Sequence, residues 1–354
     1  MNNHSYHEQT EIENTLKLRE VQKTLPSFAR DFFRGISTTT SASTRIKYAY
    51  DIRVFFEYLH DANPFVANKE ITELSIDILD KITALDLEEY VEYLKAYKPS
   101  GTDTLITNGE KGIKRKLSAL RAFYAYFYKR ELIKTNPTLL IDMPKLHQKE
   151  IIRLDAGEVA ALLDFVENAG DKLTGHQKAY YEKTKIRDLA LITLLLGTGI
   201  RVSECVGLDL ADVDFRNGCI RVIRKGGNEM MVYFGLEVEK ALLDYLEQRN
   251  SLQAAEGHEN ALFLSSQRRR ISVKAVENLV KKYTSAITTT KKITPHKLRS
   301  TYGTQLYEET GDIYLVADVL GHKDVNTTKR HYAAMSDQKR RSAANAVKLR
   351  EETE

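Results

Sequence analysis

His296 and Arg299 lie in the segment ITPHKLRSTYGT, where Pro295 suits the first turn of a helix. A helix there sets the two side chains one turn apart on a shared face. An arginine fork beside an imidazole donor matches the oxygens of a phosphodiester, although a solvated helix face would explain the pair as well. Arg201 follows Gly197-Thr-Gly-Ile at the end of the most apolar stretch of the chain, and Glu204 stands three residues further on. An arginine beside a buried helix end needs a partner. The pair therefore reads either as a structural ion pair or as a guanidinium held in place for an anion. His322 follows Leu320-Gly321 at a boundary between helices, where backbone N–H groups favour negative charge; a lone histidine is also commonly structural. Tyr332, ten residues later, is one of 19 tyrosines and the only one after His322. Lys225 falls at the tip of an expected hairpin, where lysine ordinarily only solubilises.

The elements that must carry these residues are mostly helical. KIRDLALITLLLGTG reads as a buried helix with a glycine-flanked end, delivering Arg201. CIRVIRKGGNEMMVYF reads as two short strands around a Lys-Gly-Gly-Asn turn, placing Lys225. TPHKLRSTYGTQLYEET and DIYLVADVLG supply helices for His296, Arg299 and His322, with LEVEKALLDYLEQRN and SVKAVENLVKKYTSAI around them. SDQKRRSAANAVKLREE suits a final helix whose apolar side could dock on a neighbour or pack at home. Asp155 with Glu158 fits a capping box that opens this half of the chain. Upstream, SASTRIKYAYDIRVFFEYL, LDLEEYVEYLKAY and the stretch marked by Ile113, Leu117, Leu120, Phe123, Phe127 and Leu132 are further helices, the last ending before Asn136-Pro137. KPSGTDTLITNGE reads as a polar loop. The expected organisation is a leader with an amphipathic helix (1–40), a helical domain (41–142), a polar linker (143–153) and a mostly helical domain with a small sheet (154–354).

Composition narrows the function classes. Of 354 residues, 42% are hydrophobic and 29% charged, which suits a globular protein rather than a disordered or collagen-like one. No apolar run approaches the roughly 18 residues of a spanning helix, and the polar, acidic start suggests neither signal nor transit peptide. Two cysteines, Cys205 and Cys219, suggest free thiols in a reducing cytoplasm. The formal charge is only +4, but residues 108–150 hold ten basic and four acidic residues, so the rest sums to about −2. Basic residues alternate there with the apolar helical stripe, and Lys111, Lys114, Arg115, Lys116 and Arg121 could form a phosphate-binding face or simply a solvated one. There is no CxxC, no HExxH, no paired-metal carboxylate cluster and no Gly-rich loop with lysine and serine or threonine. Neither a metal nor a nucleotide cofactor is expected.

Taken in order, Arg201, Lys225, His296, Arg299, His322 and Tyr332 resemble the signature of the tyrosine recombinases, the phage-integrase family. The matching stretches are GTGIRVSE, RKGG, PHKLRST, LGHKDVNTT and HY. STRIKYAYDIRVFFEYL and KRKLSALRAFYAYFYKRELIKTNP resemble the family's core-binding domain, so the likeness runs over roughly residues 40–345. LPSFARDFFRGI and the RKGG turn look most like the Xer branch. Two departures stand out: the interval from His322 to Tyr332 is one residue longer than usual, and Ser300 follows Arg299 where many relatives have histidine.

The resemblance implies a mainly α fold: a helical core-binding domain, then a catalytic domain of mixed α/β type, mostly helical with a small antiparallel sheet. It implies a clamp around duplex DNA, four identical protomers on two sites, and no membrane association. Tyr332 would attack a phosphodiester to give a 3′-phosphotyrosyl link and a free 5′-hydroxyl. Arg201 and Arg299 would hold the non-bridging oxygens, and His296 and His322 would donate hydrogen bonds and assist proton movement. Lys225 would protonate the leaving oxygen, and Glu204 would orient Arg201. Chromosome dimer resolution is the leading role, and integration of a mobile element is the runner-up with the same chemistry. A type IB topoisomerase shares the site's logic. A DNA-binding protein with a degenerate site is disfavoured because every expected position is filled, and a metal-dependent nuclease is the least supported.

Overall fold

The computed structural model describes residues 5–64, 66, 69–99, 101–147, 151–224, 226–322 and 324–325. The chain divides into two compact units, Met1–Lys149 and Glu150–Glu354.

The first unit is built on α1 (Tyr6–Gln22), α2 (Ala29–Gly35), α3 (Ala42–Ala62), α4 (Ile78–Lys81), α5 (Ala84–Lys95) and α6 (Glu110–Tyr128). A two-residue strand pair, β1 (Ala96–Tyr97) and β2 (Ile106–Thr107), lies between α5 and α6. Ser41 starts α3 by accepting a hydrogen bond from the Thr44 N–H, and Thr83 with Asp86 forms a capping box on α5. These caps satisfy donors that a helix N-terminus otherwise leaves open. Ile52, Phe55, Phe56 and Leu59 of α3 meet Leu117, Leu120, Phe123 and Phe127 of α6 in one buried cluster. Leu18 and Val21 of α1 and Phe32 and Phe33 of α2 belong to that same cluster. Residues 5–40 are therefore not a separate leader: their few apolar side chains complete the core of this unit. Helix α6 stops at Tyr128, earlier than its apolar spacing suggests, because Glu131 turns the backbone to φ 57° and leaves Leu132 half exposed.

In the second unit, α7 (Ala156–Asn168), α8 (Gly175–Thr198), α9 (Val202–Gly207), α10 (Leu236–Asn250), α11 (Val273–Ile287), α12 (Pro295–Thr310) and α13 (Ile313–Leu320) accompany a three-stranded sheet. Its strands β3 (Val213–Asp214), β4 (Cys219–Ile223) and β5 (Glu229–Tyr233) are all antiparallel in that order. The expected capping box is present: the Glu158 N–H donates to Asp155 Oδ1 at 2.8 Å and opens α7. Helix α8 is the central element, with Ala190–Leu196 wholly buried, and it packs against α7, α10 and α12. It begins well before the apolar run, because its first turns carry polar side chains outward while Tyr181 and Thr184 turn in. The observed fold is mainly α with a helical first unit and a mostly helical second unit bearing a small antiparallel sheet, as the sequence implied. Among the described residues no helix is long and apolar enough to cross a membrane.

Candidate active site

Helix α8 ends on Gly199, whose backbone adopts φ 62° and donates its N–H to the Leu195 carbonyl. The glycine is required twice over. Its dihedral is left-handed, and a Cβ there would lie 2.4 Å from Cδ1 of Tyr302 and 2.9 Å from Cδ2 of Leu320. Two residues later Arg201 caps α9, its N–H donating to Glu204 Oε2 at 2.8 Å and its Nη1 to Glu204 Oε1 at 2.7 Å. Glu204 is buried while the Arg201 side chain is 36% exposed. The carboxylate thus fixes both the backbone and the head of an arginine that still faces outward.

Arg299, on α12, is buried and spans two helix ends. Its Nη1 donates to the Gly199 carbonyl at 2.6 Å, and its Nη2 donates to the Leu320 carbonyl. One guanidinium therefore ties the residue two before Arg201 to the residue two before His322. The rigid fork of arginine suits this, with one nitrogen for each carbonyl. His296 sits on the first turn of the same helix and is exposed, its carbonyl accepting from Ser300 Oγ at 3.1 Å. Helix α12 thus presents His296 outward and buries Arg299, so the pair is not a wholly solvated face.

His322 follows Gly321, which ends α13 with φ 60°. The His322 N–H donates to Ala317 O at 2.9 Å and the Gly321 N–H to Asp318 O at 2.7 Å, closing the turn. The structure therefore brings Arg201, Glu204, Arg299 and the His322 turn together around the ends of α8 and α13. Lys225 and Tyr332 lie outside the described residues. Among those described, no group of three or more His, Cys, Asp or Glu side chains could hold a metal ion. Cys205 sits beside Glu204 in α9; burial, with a smaller push from the Glu204 charge, drives its thiol far above the usual range, so it stays protonated and unreactive.

Arg224 is a residue of this neighbourhood that the motif reading missed. It directly follows β4, is 9% exposed, and donates from Nη2 to the Val319 carbonyl at 2.8 Å. A signal was available. Ile220 and Val222 face inward on β4, so strand alternation sends position 224 inward too, and a buried arginine needs a reason.

In the first unit the basic stretch is less uniform than its composition suggests. Lys111 and Arg115 are exposed on α6, and Lys114 is half-buried. Lys116 does not share that face: it is 7% exposed and its Nζ lies 3.1 Å from Oδ1 of the buried Asp51. It sits on the inward side of α6, beside Leu117 and Leu120, where an amine is tolerated only with its carboxylate. Arg115 also donates to Asp51. Arg121 is turned onto the Thr138 carbonyl at 3.1 Å and the Ile141 carbonyl, fastening the segment after α6.

Two family models match the chain: the phage integrase family over residues 153–339 and the phage integrase N-terminal SAM-like domain over residues 29–131. Tyrosine recombinase XerS of Streptococcus thermophilus (strain CNRZ 1066) is 32% identical over 354 aligned residues, which cover 93% of this chain and 98% of that protein. XerS of Streptococcus uberis (strain ATCC BAA-854 / 0140J) is 31% identical over 349 residues, covering 92% and 96%. Among solved structures, XerH recombinase bound to a palindromic difH substrate superposes with a TM-score of 0.65 at 21% identity, covering 86% of this chain and 80% of that one. The Tn1549 transposon integrase in complex with circular intermediate DNA gives 0.62 at 19% identity, covering 90% and 99%. Both structural likenesses concern the fold.

Proposed function

The chain belongs to the phage integrase family and is a site-specific tyrosine recombinase of the Xer type; on that premise we propose that it resolves chromosome dimers, acting as a homotetramer on two duplex sites. The observation that carries the site reading is the Arg299 strap, which joins the backbone leading to Arg201 with the backbone leading to His322. Three motifs far apart in sequence thereby share one small volume. A structural ion pair alone would not place an outward-facing arginine, a histidine turn and an exposed imidazole around it.

In the proposed reaction Tyr332 Oη attacks the phosphorus, the bond to the 5′-oxygen breaks, and the enzyme keeps the 3′-phosphate as a tyrosyl ester. The phenolic proton leaves to a site base, for which His296 and His322 are the candidates. The departing 5′-oxygen takes its proton from Lys225. Charge grows on the non-bridging oxygens as the phosphorus becomes five-coordinate, and Arg201, held by Glu204, meets it with a fixed donor set. Arg299 supplies guanidinium charge from beneath. The reverse reaction, with a 5′-hydroxyl from another strand as nucleophile, needs no outside energy because the ester conserves the bond. We assign the first unit, with residues 5–40 as part of its core, as the core-binding domain and residues 154–354 as the catalytic domain. Duplex phosphates are proposed partners of Lys111, Lys114 and Arg115; Arg121, engaged with two carbonyls, serves chiefly to hold its own backbone, and the burial of Lys116 removes it from this set. The match to XerS over nearly the whole of both chains supports the dimer-resolving role over mobile-element integration.

The test uses a duplex that the protein itself selects from host genomic fragments, nicked beside the scissile phosphate so that cleavage traps the covalent adduct. Wild type accumulates a protein–DNA adduct on denaturing gels, whereas Tyr332→Phe binds the duplex and forms none. An adduct in Tyr332→Phe overturns the assignment of the nucleophile. Selection of mobile-element ends instead of a chromosomal locus would favour the integrase role.

A further inference from the structure

Helix α13 leaves four carbonyls at its C-terminus that the helix itself cannot satisfy. Those of Ala317 and Asp318 accept from the His322 and Gly321 N–H groups. The remaining two are held by side chains from elsewhere: Val319 by Arg224 at 2.8 Å and Leu320 by Arg299. Two guanidinium groups at the negative end of a helix are well placed. They enter from different elements, Arg299 from α12 and Arg224 from the hairpin.

Arg224 is the first residue of the hairpin turn. Its N–H donates to the Asn228 carbonyl at 2.8 Å, and its own carbonyl accepts from the Gly227 N–H at 3.0 Å. Gly226 and Gly227 hold φ 100° and 82°, which only glycine adopts without strain. From this turn the side chain reaches across to α13. It lies so close over Gly321 that a Cβ there would sit 1.4 Å from Arg224 Nη1. The left-handed glycine thus does two jobs: it ends α13, and it leaves the space that the guanidinium fills.

The stability of the fold does not account for this arginine. Its Nε and Nη1 are buried without a hydrogen-bond partner among the described residues, an arrangement that costs stability. Burial pushes its pKa below the ordinary guanidinium value, opposed by the Glu204 carboxylate and reinforced by the Arg201 charge. A leucine or methionine would serve a plain core better. Costly groups of this kind are expected where function needs them.

We propose that Arg224 is a positioning residue, docking the hairpin that carries Lys225 onto the carbonyl end of α13 so that the proton donor and the His322 turn are assembled as one piece. This rests on the reading of Lys225 as the donor to the 5′-oxygen. Arg224 itself touches neither phosphate nor nucleophile. Its loss leaves Lys225 in the chain but no longer held at the leaving oxygen.

The experiment compares single-turnover cleavage of the selected nicked duplex with that of the same duplex carrying sulfur at the bridging 5′ position. Sulfur departs without a proton, so only defects in proton delivery are relieved. Lys225→Ala is run alongside Arg224→Met and Arg224→Lys. Expected for Arg224→Met is a loss of about 10- to 100-fold on the oxygen substrate, a fraction of what a general acid contributes. On the sulfur substrate it should come within about threefold of wild type, with duplex binding retained and the thermal midpoint within about 4 °C. Arg224→Lys keeps a cation at the helix end but offers a compact ammonium in place of the fork. It should show the same sulfur-relieved defect, smaller in size, and it carries the test if the methionine variant does not fold. Equal impairment on both substrates in a folded Arg224 variant overturns the proposal, as does full activity of Arg224→Met on oxygen. If Lys225→Ala itself gains nothing from sulfur, the donor reading falls and the proposal falls with it. Relief in Lys225→Ala without relief at Arg224 sinks the proposal alone.

Discussion

Arg299→Lys separates two duties that the sequence motif merges. Arg299 is 4% exposed, and its guanidinium bonds the Gly199 carbonyl at 2.6 Å and the Leu320 carbonyl besides. A lysine Nζ keeps the charge but replaces two separated nitrogens with one, so it should reach only one of the two carbonyls at good hydrogen-bond geometry. At least one buried carbonyl is then left without this donor, at a cost of about 1–3 kcal/mol. For a domain of this size 1 kcal/mol lowers the thermal midpoint by about 2–4 °C, so the expected drop is about 2–12 °C. Catalysis should fall further than stability, because the strap sets the backbone that carries Arg201 and His322, and misplacing one fixed donor at a developing charge costs about 10²- to 10³-fold in rate. Arg201→Lys is the control. Arg201 is 36% exposed and its side chain is paired with Glu204 among the described residues, so the charge-conserving change should cost about 1 kcal/mol or less while slowing cleavage to a similar degree. The assays are a thermal melt and single-turnover cleavage of the nicked duplex for each variant at matched salt. Equal midpoints for the two variants would refute the strap, and so would an Arg299→Lys protein that melts with wild type while failing to cleave.

Two predictions concern the first unit. Asp51→Ala leaves Lys116 buried without its carboxylate and should cost about 3–5 kcal/mol, read from urea unfolding. Replacing both with leucine should recover most of the loss, and failure to do so would show that the pair is more than mutual compensation. Burial holds the Asp51 carboxyl above its ordinary value against the pull of Lys116 and Arg115. Protonation is thus favoured in the fold, so this group's contribution should weaken as pH rises through about 4 towards the raised value, and Asp51→Asn should lack that slope. The Tyr90 hydroxyl is buried without a hydrogen-bond partner among the described residues, so Tyr90→Phe should stabilise by about 1–3 kcal/mol in the same assay. Burial raises that phenol's pKa well above the usual one. The unfolded phenol ionises near pH 10, so wild-type stability should decline through that pH more steeply than that of Tyr90→Phe.

The legible parts of the fold were those written in local pattern. Helices α3, α6, α10, α11, α12 and α13 follow apolar spacing and caps, and the hairpin of β4 and β5 follows alternation around Gly226 and Gly227. What local pattern cannot carry is tertiary satisfaction. Helix α1 buries little beyond Leu18 and Val21, so its sequence looks like a polar leader until the core that receives those two residues exists. The two-residue strands β1 and β2 are fixed by pairing across a loop, Ala96 with Thr107 and Tyr97 with Ile106, and nothing in either dipeptide foretells a partner.

The site divides along the same line. Residue types and their order pointed to Arg201, His296, Arg299 and His322, but types alone could not say which way each side chain turns. Two arginines of identical chemistry received opposite placements. Arg201 caps a helix from outside and keeps its head near solvent, while Arg299 spends Nη1 and Nη2 on carbonyls of its own chain. The basic stretch shows the same effect: Lys116 and Arg121 became internal fasteners, whereas Lys111 and Arg115 remained outside. A buried cation needs an acceptor: Arg224 and Arg299 find helix-end carbonyls, Arg249 loop carbonyls, and Lys116 and Arg187 the carboxylates of Asp51 and Asp188. Glycines with left-handed backbone at 199 and 321 end α8 and α13 just where such carbonyls are wanted. The spacing of Gly199 before Arg201 and of Gly321 before His322 therefore has a physical origin in this chain. Glycine ends a helix, exposes its last carbonyls, and leaves room for an arginine from another element to hold them, and the residue that follows is carried to the site by that closure.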